Sequence, residues 1–278
     1  ARSGNSPESV AAVELAEQLV NDFYQLTITC AKEGELAKRA KGDENNLLLL
    51  MPEGSNDQGF AMTGSYTCMT LTALLVFDPL GMNEKRGIVE AIRQLGESVI
   101  LRAGEIEQVI GHDFDRIIYL GSGSFEGVAR EAQLKILELT AGRIVTAYDS
   151  PLGFRHGPKS FVNEKTLVLV FVSNHPYTRK YDVDMLKELQ QDNIATFIGA
   201  IQADGRGNYE GNTFLFCQEA EFIPDAYLAL PFVMIGQTVS LLAAVKVGNT
   251  PDTPSPTGTV NRVVKGVTIH QYTGCEEE

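Results

Sequence analysis

The chain reads as an α/β protein made of two doubly wound parallel-sheet units. Three observations lead there. Seven short runs are almost wholly apolar, as strands covered on both faces of a parallel sheet are. Longer segments of helical period lie between them, in the alternation that βαβ units require. One charged, proline-free helical segment, 83–108, divides the series, and a fresh strand–turn–helix begins at Arg116.

Taken in order, Ser6 and Pro7 open the first helix, 7–20, as N-cap and first helical residue. A strand at 24–30, a helix at 31–41 and a strand at 47–51 follow. The hydroxyl-rich turn Met62-Thr63-Gly64-Ser65-Tyr66-Thr67 then leads into an apolar helix, 65–76. Beyond the dividing segment, strand 116–120 enters Gly121-Ser122-Gly123-Ser124 and a helix at 125–142. Strands at 144–148, 166–173, 196–201 and 212–216 complete the series, with helices at 177–191 and 224–247. Pro251, Pro254 and Pro256 make 249–259 a loop, while 260–269 regains short apolar character and is expected to pack back onto the body. The predicted divisions are 1–82, 83–112 as a connecting helix, 113–248 as a complete second unit, and 249–278 as a C-terminal tail. The chain opens on Ala1 inside a motif and the first unit has few strands, so that unit is expected to be truncated at its N-terminus.

Composition narrows the function. Over 278 residues, 44% hydrophobic and 21% charged content are those of a soluble globular protein. The longest apolar run, 228–247, is interrupted by Gly236, Gln237, Ser240 and Lys246, which argues against a membrane span. Cys30, Cys68, Cys217 and Cys275 are widely spaced, without a CxxC pair, as in reduced cytosolic thiols rather than a disulfide framework or a zinc site. No basic-then-apolar leader is visible, and a cytoplasmic location is expected. A net charge of −13 lacks the basic footprint of nucleic-acid binding. It also means that an anionic substrate needs local positive groups or backbone donors.

Five segments could carry chemistry. ARSGNSPES places Ser3, Gly4 and Ser6 before a helix N-terminus, where free backbone N–H groups can cradle a phosphate; such caps also occur with nothing bound. The turn holding Thr63 and Ser65 is a second hydroxyl-rich helix start in the same unit. Gly121-Ser122-Gly123-Ser124 is half of a dinucleotide fingerprint, but Gly127 falls one position late for G-x-G-x-x-G, and no acidic strand end follows at the required distance. The helix after it holds Glu131, Lys135 and Glu138 on one face, either as a solvated ion-pair row or, given its apolar flanks, as charges that sit in a cleft or pair internally. Downstream, Asp149 to Lys159 is a loop of two glycines and two prolines that sets His156, one of four histidines, between Arg155 and Lys159. A carboxylate base and a titratable imidazole are the minimum set for aldose–ketose interconversion.

The stretches ARSGNSPES, AMTGSYT, GSGSFEGVAREAQLKILELTAG and YDSPLGFRHGPKS resemble the sugar isomerase (SIS) domain superfamily. Within it they resemble the tagatose-6-phosphate ketose/aldose isomerase family, also described as galactosamine-6-phosphate deaminase/isomerase. The resemblance runs from Ala1 to about Gly266 and implies two tandem SIS units of flavodoxin-like fold. The isomerase half of glucosamine-6-phosphate synthase is a further relative. By that resemblance Glu138 in LKILE matches the base and Lys135 the lysine that contacts the reacting oxygen. His156 in RHGP matches the ring-opening histidine, which reaches the site from a neighbouring subunit. Lys265 matches a C-terminal lysine able to form a Schiff base, and Ser3, Ser6, Thr63 and Ser65 match phosphate-binding hydroxyls. Ala1 stands where that relative has another serine, and the 138–156 stretch is about two residues longer.

The resemblance implies an enzyme that turns galactosamine 6-phosphate into tagatose 6-phosphate and ammonia through an enediol, with no cofactor and no metal. It also implies a hexose 6-phosphate as substrate, with a homodimer or higher homo-oligomer as the working form. The alternatives are isomerisation without deamination and a non-catalytic sugar-phosphate sensor.

Overall fold

The structure is a computed structural model that describes residues 1–206, 209–264 and 266–274. It is α/β with parallel sheets, and divides into two compact units: 1–77 with 255–278, and 78–254.

In the first unit, α1 (Pro7–Leu19) is followed by β1 (Gln25–Thr29), α2 (Glu35–Ala40), β2 (Asn46–Leu50) and α3 (Gly64–Phe77). β1 and β2 pair in parallel, Gln25 opposite Asn46 through Thr29 opposite Leu50. α2 starts four residues later than its sequence pattern predicts. The N-terminal turn explains the delay, because Asn5 Oδ1 accepts from Glu35 N (2.9 Å) and Gly4 O from Leu36 N (3.0 Å). A Cβ on Gly34 would lie 2.2 Å from the Ser3 carbonyl oxygen, so only glycine lets the two segments approach.

The second unit opens with α4 (Met82–Leu101) and α5 (Ala103–Ile110), where the pattern predicts one helix. They part at Arg102, whose guanidinium reaches Glu105, the Leu215 carbonyl (2.7 Å) and the face of Phe214 (3.8 Å to the ring centroid). There follow β3 (Arg116–Gly121), α6 (Ser124–Leu139), β4 (Val145–Asp149), α7 (Pro151–Phe154), β5 (Thr166–Phe171), α8 (Thr178–Asp192), β6 (Phe197–Gln202), β7 (Asn212–Leu215) and α9 (Asp225–Lys246). The sheet is parallel throughout, in the order β4-β3-β5-β6-β7, and its direction of growth reverses between β3 and β5. That reversal is the hallmark of a doubly wound sheet.

Each face is covered. On one, Ile118, Leu120, Val168, Val170, Ile198 and Ala200 pack with Val183, Leu186 and Leu189 of α8 and with Phe154 of α7. On the other, rings stack from Tyr119 through Phe171 and Phe232 to Phe125, tying α9 and α6 to the sheet. α9 is apolar and long enough to cross a bilayer by composition, yet two thirds of it (67%) is buried inside this layer. It is a core helix. The loop expected at 149–159 instead contains α7, capped by Ser150 Oγ on Gly153 N (3.1 Å), and the start of a 3-10 turn at Pro158–Phe161.

Candidate active site

α6 positions the charged face. Its apolar stripe, Val128, Ala132, Ile136 and Leu139, is buried, and a Cβ on Gly236 of α9 would come within 2.6 Å of Ala132 Cβ. That close approach confines Lys135, whose side chain keeps only 5% of its exposure. Its ammonium bonds Glu138 Oε2 (2.8 Å) and lies 3.2 Å from Glu131 Oε1. The structure shows these charges paired internally around a buried ammonium rather than standing as a solvated row. Burial pushes the Glu131 carboxyl up, and Lys135 opposes the rise. Of the two carboxylates that share the buried ammonium, Glu138 is the more exposed, its side chain keeping 23% against 16% for Glu131.

His156 lies elsewhere. α6 leaves the carboxyl end of β3 and runs back along the sheet for about 24 Å, so Glu138, in its last turn, falls toward the amino edge. α7 begins at the carboxyl end of β4 and packs on the opposite face. Within one chain the sheet therefore stands between Glu138 and His156. The histidine is exposed, and its loop is pinned to α8, Arg155 to Glu188 (2.7 Å) and Lys159 to Glu188 and Asp192 (both 2.5 Å).

The glycine turn after β3 is closed from within. Ser122 Oγ donates to Asp182 Oδ1 (2.6 Å), whose other oxygen accepts from Ser173 N (2.8 Å). Asp225 accepts from Asn174 N (2.7 Å) and from Ser173 Oγ. Burial raises the Asp182 carboxyl, despite these bonds. A Cβ on Gly121 would meet the Phe125 carbonyl at 2.3 Å, so this glycine serves the tight strand-to-helix turn.

In the first unit, Ser6 is the N-cap of α1 but makes no side-chain capping bond, and Ser3 Oγ accepts from Asn5 N (3.2 Å). Thr63 and Ser65 differ from expectation. Their hydroxyls and backbone N–H groups all point to the carboxylate of Asp57. Phosphate was the expected partner, and an internal carboxylate already fills that place. Nothing in the local pattern marked Asp57 except an acid a few residues ahead of a hydroxyl-rich helix start. Lys265 lies outside the described residues. Cys30 and Cys68 are free thiols, and among the described residues no group of three or more His, Cys, Asp or Glu is placed to hold a metal ion.

The class is that of the SIS-domain proteins: the SIS domain family model matches residues 112–201, within the doubly wound unit. The chain belongs to the family of the D-galactosamine-6-phosphate deaminase AgaS. It is 48% identical to the Escherichia coli protein of that name over 273 residues, 98% of this chain and 71% of that protein. The protein of the same name from Shewanella sp. (strain ANA-3) is 41% identical over 271 residues, 98% of this chain and 66% of its own length. The crystal structure of tagatose-6-phosphate ketose/aldose isomerase from Escherichia coli superposes with a TM-score of 0.86, at 44% identity, over 99% of this chain and 71% of that one.

Proposed function

We propose that the chain acts as a galactosamine-6-phosphate deaminase. One observation carries the reading: Lys135, buried between Glu131 and Glu138 on a helix whose sequence aligns with relatives of that name. Glu138 removes the proton from C2 of the open-chain amino sugar and returns it at C1. Lys135 stabilises the charge that develops on the reacting oxygen. The product of that shift is a C2 imine, and one water converts it to tagatose 6-phosphate and ammonia. Atoms balance without a redox partner. The phosphate is held by the turn before α1, through Ser3, Ser6 and the backbone N–H groups there. Lys265 is assigned a Schiff-base role with the open-chain ketose, by resemblance alone.

The test is a paired assay of ketose and ammonia with galactosamine 6-phosphate and glucosamine 6-phosphate. Glu138→Gln, whose amide cannot accept the proton, is expected to lower kcat by at least about a hundredfold; full turnover in that variant would sink the assignment. Ketose formation from an unaminated hexose 6-phosphate, with no ammonia from the amino sugar, would favour the simple isomerase. That second reading rests on the description of the structural relative as a ketose/aldose isomerase.

His156 opens the sugar ring, and because the sheet separates it from Glu138 of its own chain it acts in the site of a neighbouring copy. The working form is then a cytoplasmic homodimer or larger. Mixing His156→Ala and Glu138→Gln proteins should restore activity by pairing one intact base with one intact histidine. Absence of rescue, in mixtures shown to exchange subunits, would place both groups in one chain's site.

A further inference from the structure

We propose that Asp57 is an internal anion that fills the N-terminus of α3 and leaves the turn before α1 as the place for the substrate's phosphate. The inference deepens the function proposed above and rests on it for its kinetic arm.

The geometry is that of a bound oxyanion. Asp57 Oδ1 accepts from Thr63 Oγ1 (2.9 Å) and Gly64 N (2.9 Å); Oδ2 accepts from Thr63 N (3.1 Å), Ser65 N (3.0 Å) and Ser65 Oγ. An ionised carboxyl offers about four lone-pair sites, so five donors saturate it. Ser65 is wholly buried, and its hydroxyl cannot turn outward without leaving the carboxylate. α3 is 14 residues long, and its dipole favours a negative charge at this end. Burial pushes the Asp57 carboxyl up, but the bonds from Ser65 and Thr63 outweigh it and hold the group below its ordinary range.

The same loop reaches the phosphate turn by a traceable route. The Phe60 carbonyl accepts from Arg2 Nη1 (3.3 Å), and the Arg2 carbonyl accepts from Cys30 N (3.2 Å) and Thr29 Oγ1 (3.3 Å). Arg2 also donates to the Arg262 carbonyl (2.7 Å), while the Arg262 guanidinium bonds Asn56 Oδ1 (3.1 Å) and the Asp57 carbonyl. Asp57 thus fixes a loop that holds Arg2, and Arg2 sits one residue before Ser3. The two helix N-termini of this unit divide their roles: α3 is closed by its own carboxylate, and at α1 the Ser6 hydroxyl makes no capping bond. Thr63 and Ser65 serve the loop, and Ser3 and Ser6 serve the ligand.

The kinetic arm compares Thr63→Val, Ser65→Ala and Ser6→Ala. Loss of a hydroxyl bonded to a charged group in the bound state costs roughly tenfold in affinity. Ser6→Ala is therefore expected to raise KM for galactosamine 6-phosphate about tenfold, with kcat little changed. The two α3 variants should leave KM within about threefold and lower Tm instead. A second arm uses Asp57→Ala. Removing the carboxylate leaves a cavity ringed by donors, so acetate is expected to raise its Tm where equimolar chloride does not, with the wild type unmoved.

Thr63→Val or Ser65→Ala raising KM as far as Ser6→Ala, at unchanged Tm, would overturn the proposal; so would an Asp57→Ala protein indifferent to acetate. Should Asp57→Ala fail to accumulate, the Thr63 and Ser65 variants decide the matter alone. Should the wild type turn over no hexosamine phosphate, the functional reading fails, and the acetate arm still tests Asp57.

Discussion

Lys135 is held where a charge is expensive, with two carboxylates as its only justification. Break that arrangement and the cost falls on what remains. Lys135→Met would leave Glu131 and Glu138 facing one another without a cation, so one of them keeps its proton to higher pH. The sign follows from linkage. A carboxyl whose folded pKa is raised above its unfolded value stabilises the fold below the unfolded pKa, and that stability is lost as pH rises through the folded one. The variant should therefore lose more stability at pH 8 than at pH 5, measured by urea midpoints against the wild type. Its residual kcat should fall at least about a hundredfold, as removal of a charge-stabilising donor does, with the alkaline side of the rate profile favoured. Equal destabilisation at both pH values would show that Lys135 does not bridge the pair.

At the scale of elements, α6 and α9 pack so closely that Gly236 is a contact rather than a spacer. Alanine there gains about 1 kcal/mol of helix propensity, but its methyl would stand 2.6 Å from Ala132 Cβ. Overpacking of this kind costs roughly 1–3 kcal/mol and cannot be relieved by a rotamer, because the obstructing atom is itself a Cβ. Gly236→Ala should lower Tm by several degrees, as read by thermal denaturation; a rise would mean the helices part freely. This contact also marks the limit of legibility. The seven strands among the described residues stood out in sequence as apolar runs, most clearly β3 and β5, where burial on both faces leaves few polar positions. The late start of α2 and the break at Arg102 did not. Each is set by partners far along the chain, Asn5 for the first and Phe214 with Leu215 for the second. The candidate site divides the same way. Glu131, Lys135 and Glu138 share a face by local spacing, whereas the separation of His156 from Glu138 depends on which side of the sheet each crossover takes. Asp57 was hidden because nothing local distinguishes a helix start that waits for a ligand from one already capped.

For the whole molecule, acid stability should be set by carboxylates held low. Asp204 is brought down to about 2: burial alone would raise it, but bonds from Arg206 and Arg179 prevail. Such a group stabilises the fold above its unfolded pKa of about 3.9, and that contribution disappears as pH falls through the folded value. Asp204→Asn should flatten the decline in urea midpoint between about pH 4 and 2, while Asp182 and Glu131, both raised, act in the opposite sense. The discontinuity of the first unit has a consequence in time. Residues 78–254 form a contiguous unit, whereas 1–77 belongs with 255–278. The carbonyl that receives the Arg2 guanidinium is Arg262, 260 positions later. At ~5–20 residues per second, a ribosome takes roughly 13–52 s to bridge that interval. The nascent turn before α1 must wait through it for its anchor, and the later unit, though synthesised second, has all its own parts first.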